Sequence, residues 1–131
     1  GDIIMALPSP LNASDKIYTG QLANITAATV AYFPIANPGR VKRFDVVPTA
    51  VTATGTATFQ LAYAIPGSST FTNIASGLIT MPAATAAGAT IQQDLTPSTD
   101  SSVQDGGCIR VTVGGTATGG GTPQFTVVIG V

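Results

Sequence analysis

The sequence predicts an all-β protein built as an antiparallel sandwich or barrel, and three observations carry that reading. From Thr29 onward apolar residues recur with a period of two, as in strands whose side chains alternate between a core and a surface. Turn-forming clusters break that pattern at short intervals: Asn37-Pro38-Gly39, Thr54-Gly55, Pro66-Gly67-Ser68-Ser69, Met81-Pro82, Pro97-Ser98, Asp105-Gly106-Gly107 and Gly119-Gly120-Gly121. Nothing between them fits a helix of useful length. The best segment, Pro82 to Ala89, is rich in Ala but interrupted by Thr85 and Gly88, and it has no apolar stripe to dock, so it reads as a loop. Two half-apolar sheets become stable by burying each other's inner faces.

The elements follow in chain order. Residues 1–26 read as an extended arm, because Pro8 and Pro10 favour extended backbone and the stretch Asn12 to Lys16 is polar, with Lys16 to Thr19 as a short strand candidate. Residues 27–131 read as the sandwich domain. Strand candidates there are Val30 to Phe33, Arg43 to Val46, Thr58 to Tyr63, Gly77 to Met81, Ile91 to Leu95, Ile109 to Val113 and Gln124 to Val131, which makes seven or eight with the early one. In the longest of these the large residues keep an odd phase: Phe59 and Leu61, then Ile109, Val111 and Val113, then Phe125, Val127 and Ile129. That phase places Phe59, Leu61, Phe125, Val127 and Ile129 in one shared core. The glycine run from 114 to 121 lacks a following Lys and a following helix, so it is a long, mobile hairpin connection rather than a phosphate loop.

Composition narrows the function classes. The chain has 131 residues, enough for one domain, of which 8% are charged against a usual share of about 25%. No charged residue lies between Asp45 and Asp94, and His, Glu and Trp are absent, so the side chains that carry most proton transfer are missing. This disfavours an enzyme. A net charge of -1 supplies no basic field for nucleic acid. No run approaches the roughly 20 apolar residues of a membrane helix, and the single cysteine, Cys108, leaves no partner for an intrachain disulfide or a multi-cysteine zinc site. Cys108 reads as a small buried hydrophobe at the start of a strand. Low charge with a mean hydropathy of +0.39 points to apolar surface covered by a partner, and so to a homo-oligomer.

Two groups stand out as binding residues. Ile3, Ile4, Met5 and Leu7 form an apolar start that the arm cannot bury by itself, which suits docking on a neighbouring subunit or another partner. Arg40, Lys42 and Arg43 are three of the five basic residues; alternation sets Lys42 on the face opposite Arg43, giving either a solvated strand edge or an ion-pairing patch against Asp45 or a partner. No catalytic group, cofactor or metal site is expected. Asp100 and Asp105 match no calcium loop, and an acid pair such as Asp94 and Asp100 lacks a Glu or His acid for glycoside hydrolysis. Tyr18, Tyr32 and Tyr63 offer the only aromatic platform with a polar tip for a sugar-binding alternative.

The segments Pro38 to Val47, Thr56 to Leu61 and Gly77 to Pro82 resemble the small β-sandwich decoration proteins of tailed bacteriophage heads. So does the turn Val103 to Gly107 leading into Ile109 to Val113, together with the alternating final strand Phe125 to Ile129. The resemblance covers Thr29 to Val131 and leaves the arm outside. It implies a jelly-roll-like domain that binds the outer capsid surface of the virion as an oligomer, commonly a trimer. Its partner would be the major capsid protein, met in the cytoplasm of the bacterial host during assembly, and its work would be to cement capsomers without a reaction. The alternative is a carbohydrate- or receptor-binding domain of a phage fibre or bacterial surface protein, which needs several exposed aromatics.

Overall fold

In the computed structural model, residues 15–95 and 102–130 are described. They form β1 (Lys16–Gln21), β2 (Val30–Pro34), β3 (Gly39–Val47), β4 (Thr52–Ala53), β5 (Ala57–Ala64), β6 (Thr72–Met81), β7 (Ile91–Asp94), β8 (Ser102–Val103), β9 (Cys108–Gly115), β10 (Thr118–Gly119) and β11 (Gln124–Gly130). All ladders are antiparallel. One sheet, A, runs β1-β11-β3-β7 with β8 also on β3, and the other, B, runs β2-β9-β5-β6.

The pairings are nested. β5 pairs with β6, β3 with β7, β2 with β9 and β1 with β11, so one long hairpin is folded over itself and its strands are dealt to two sheets. That is the jelly-roll topology. The core lies between the sheets, where Phe44, Val46, Phe125, Val127 and Ile129 of sheet A meet Phe59, Leu61, Ile79, Ile109, Val111 and Val113 of sheet B. The odd phase read from β5 and β11 therefore does place Phe59, Leu61, Phe125, Val127 and Ile129 in one cluster, which Ile109, Val111 and Val113 of β9 join. Leu22, Ile25 and Ile35, from the connections around β2, close the same core.

The second half of the expected arm belongs to the sandwich. β1 pairs with β11 from Lys16↔Ile129 to Gln21↔Gln124, Leu22 continues the ladder by donating to Pro123 O at 2.8 Å, and Leu22 and Ile25 are buried. The boundary at residue 26 falls inside the domain, while residues 1–14 lie outside the described ones. Periodicity marks β1 only weakly, as the short candidate Lys16 to Thr19, because its core-facing positions hold Tyr18 and Gly20, where a Cβ on Gly20 would meet the Phe125 ring, while the aliphatic Ile17 points outward and is 58% exposed. Tyr18 stacks on Phe33 at 5.2 Å and Phe33 on Phe125 at 6.0 Å, joining the two sheets along the β1 and β2 edges.

The glycine run is anchored rather than loose. β10 pairs with β4, Gly120 O accepts from the amides of Thr49 and Ala50 at 3.1 and 3.3 Å, and Gly120 N donates to Val51 O. Gly119, Gly120 and Gly121 all have φ between 66° and 78°, a left-handed path that L side chains resist. Pro82 to Ala89 is a loop, as its composition predicts, tied down by the buried Thr52, whose hydroxyl donates to Pro82 O and accepts from Thr85 N, both at 2.9 Å.

Candidate interaction surfaces

The outward face of sheet A carries the basic cluster. Val41 and Phe44 are both buried, so the two residues between them cannot alternate; the register of β3 against β11 slips by one residue between Val128 and Ile129. This is a β-bulge, two residues opposite one. It corrects the expected split: Arg40 opposite Gly130, Lys42 in the bulge and Arg43 opposite Val128 all point outward, away from the core. Lys42 Nζ lies 3.3 Å from Asp15, whose side chain is 2% exposed, and Arg43 Nε lies 3.4 Å from Asp45.

Arg43 also faces Asp94 across the ladder, and Asp45 faces Gln92. Burial pushes the Asp45 carboxyl above its ordinary 3.8, the Arg43 guanidinium and a hydrogen bond from Gln92 pull it back, and Asp94 adds to the rise. Arg43 Nε and Asp45 Oδ1 find no hydrogen-bond partner of good geometry among the described residues. Beside them a recess of about 260 Å³ is lined by Thr19, Asp45, Thr90, Gln124 and Thr126 together with the apolar Val46, Val47 and Phe125, a mixed polar and apolar surface.

The outward face of sheet B has the opposite character. Its strands contain one charged residue, Arg110, amid Val30, Tyr32, Leu78, Ala62, Ala64 and a row of threonines. Tyr32 is 58% exposed, Leu78 45% and Val30 40%. Phe71, just ahead of β6, lies under the Arg110 guanidinium at 4.6 Å and beside Tyr32 at 5.8 Å. Arg110 makes a cation–π contact but no ion pair among the described residues, and its Nε is buried without an acceptor; so is Thr112 Oγ1, two positions along the same face. Buried polar atoms are nearly always satisfied, so Arg110 Nε and Thr112 Oγ1 on this face, like Arg43 Nε and Asp45 Oδ1 on sheet A, are points where a further acceptor or donor would fit.

The other candidates are structural. Tyr18 OH accepts from Ala36 N at 3.1 Å and Tyr63 OH from Gln104 N at 2.9 Å, which leaves Tyr32 as the exposed tyrosine. A groove of about 490 Å³ at the β5–β6 end is lined by Tyr63, Ile65, Ser68, Thr70, Thr72, Ser102 and Gln104. Cys108 is half-buried on the outward face of sheet B, with burial raising its thiol above 9.0. No group of three or more His, Cys, Asp or Glu that could hold a metal ion occurs among the described residues. Asp105 stands in the turn before Gly106, whose φ is 88°, and Asp100 lies outside the described residues. Ile3, Ile4, Met5 and Leu7 lie outside them too. Sequence reasoning passed over Arg110 and Phe71; the signal was an isolated arginine in an otherwise uncharged strand, Cys108 to Gly115.

No family model matches the chain, and no curated protein matches it. Among solved structures the chain is similar to the Yersinia pseudotuberculosis-derived mitogen (YPM), with 11% sequence identity over 89% of this chain and 85% of that one, at a TM-score of 0.37.

Proposed function

We propose that the protein is a structural decoration protein of a tailed-phage head, a jelly-roll oligomer, most simply a trimer, that binds the outer capsid surface and stabilises contacts between capsomers. The observation that carries this reading is the outward face of sheet B, where Val30, Tyr32 and Leu78 are exposed on the face that holds Arg110, an arginine without an anionic partner among the described residues. Such a face gains by burial at roughly 25 cal/mol per Å² of apolar surface, and the gain multiplies over the copies of an oligomer. Its low charge keeps the desolvation cost small. The function needs binding and no reaction, which suits a chain without His or Glu.

Co-sedimentation with capsids of the source phage tests the proposal. Saturable binding to the particle with higher resistance to heat or pressure is expected; its absence with intact capsids rejects the decoration role. The second reading, a carbohydrate-binding domain, draws on Tyr32 and Phe71 standing 5.8 Å apart with Tyr32 exposed. Specific signals on a glycan array that vanish with Tyr32→Ala would favour it.

A further inference from the structure

We infer that the outward face of sheet B is covered by the chain's own segment Asp2 to Leu7, with the Asp2 carboxylate on the Arg110 guanidinium; this deepens the assembly reading above by naming an occupant. The argument begins with charge. Asp15 is paired with Lys42 and Asp45 with Arg43, and Asp94 faces Arg43, all on sheet A. Asp105 stands in the turn ahead of β9, and no ion pair joins it to Arg110. The two remaining acids are Asp100, set among Ser and Thr, and Asp2, followed by Ile3, Ile4, Met5, Ala6 and Leu7. An apolar segment with one carboxylate matches an apolar face with one unpaired guanidinium. Charge-assisted pairing would supply the acceptor that Arg110 Nε lacks.

Geometry permits the contact. Asp15 stands beside the end of β11, opposite Gly130, and β3 starts there too. The short link from Pro34 to Gly39 puts the end of β2, and with it Cys108 at the start of β9, at that same end of the sandwich. Arg110 is two residues further along β9. Asp2 lies thirteen positions ahead of Asp15, an extended reach of about 43 Å at 3.3 Å per residue, several times the sheet separation of about 10 Å. The segment can therefore reach this face on its own copy or on a neighbour.

Cys108 supplies the test, since it shares the face with Arg110 at a two-residue spacing, the spacing of Ile4 from Asp2. In the full-length protein, Ile4→Cys treated with diamide should form a disulfide with Cys108 faster than Ser9→Cys, which lies outside the apolar segment. Arg110→Gln or Asp2→Asn should slow that coupling about 3- to 10-fold, the range of a pair worth about 0.7 to 1.4 kcal/mol. The combination should slow it no further, and exchanging the charges by Asp2→Lys with Arg110→Asp should restore it. A product of one chain or of two supports the seating equally, and its mass identifies which copy supplies the segment. Coupling indifferent to both charges, or no faster than from Ser9→Cys, overturns the inference. If Arg110→Gln instead abolishes capsid co-sedimentation while coupling is absent, the face belongs to the capsid and the seating is wrong. Coupling without capsid binding removes the decoration role and leaves the seating intact.

Discussion

Lys42 and Arg43 are neighbours in sequence that share one face of a sheet, because a single extra residue in β3 shifts the phase between Val41 and Phe44. Alternation alone cannot show this, since the bulge is set by pairing with β11 rather than by the local pattern. The Asp45 carboxyl beside them gives a pH prediction. Its folded value lies above 3.8, so the folded state holds the proton more tightly than the unfolded chain does. The associated stability is complete below 3.8 and is lost as pH rises through the folded value. Asp45→Asn cannot ionise, so across that window the stability difference should move in the variant's favour, as read by urea unfolding at a series of pH values. A carboxyl titration by NMR should place the Asp45 midpoint above its ordinary value. In the core, Phe59 is 0% exposed, and Phe59→Ala should cost about 3 to 5 kcal/mol in the same urea assay. An unchanged midpoint would contradict its place between the sheets.

The strands that were legible are those whose inward positions all hold large apolar residues, as in β5, β9 and β11. β6 was half-legible: Gly77 to Met81 shows the alternation, but Thr72 to Ser76 buries only Ile74. The ladder breaks here, since Gln60 pairs with Leu78 and Ala62 with Asn73, and residues 74 to 77 loop out opposite Leu61. Ser76 has a φ of 63° and Gly77 presses against Leu61, where a Cβ would lie 3.1 Å from the Leu61 Cβ. The Gln60 amide holds this bulge by donating to Leu61 O at 2.8 Å and Gly77 O at 3.3 Å. Gln60→Leu should cost about 1 to 3 kcal/mol and speed hydrogen exchange in β6 ahead of β5, because it strips donors from carbonyls in a half-buried setting. The two-residue strands β4, β8 and β10 left no trace in the sequence, being fixed by distant partners rather than by side-chain pattern.

The molecule as a whole is two-faced, with ion pairs on sheet A and a nearly uncharged, aromatic surface on sheet B. Composition indicated apolar surface to spare but not where it lies, because the location depends on the order in which strands are dealt to the sheets. Light scattering over a wide concentration range should find an oligomer. Leu78→Asp should shift it toward monomer while changing the stability of the fold by about 0.5 kcal/mol or less, as expected of an exposed site. A monomer at micromolar and higher concentration would reject the assembly reading. The nesting of the strand pairs also sets an order in time. β5 and β6 are the only hydrogen-bonded neighbours that follow one another in the chain among the described strands, and each surrounding pair encloses the one before it. β11, an inner strand of sheet A, comes last in chain order among the described strands, so during synthesis β1 and β3 wait for it with Phe44 and Val46 uncovered. Closing such long loops before any contact rewards them makes folding slow, on the order of milliseconds to seconds, and the newborn chain is most exposed to misassociation in the moments before its final strand arrives.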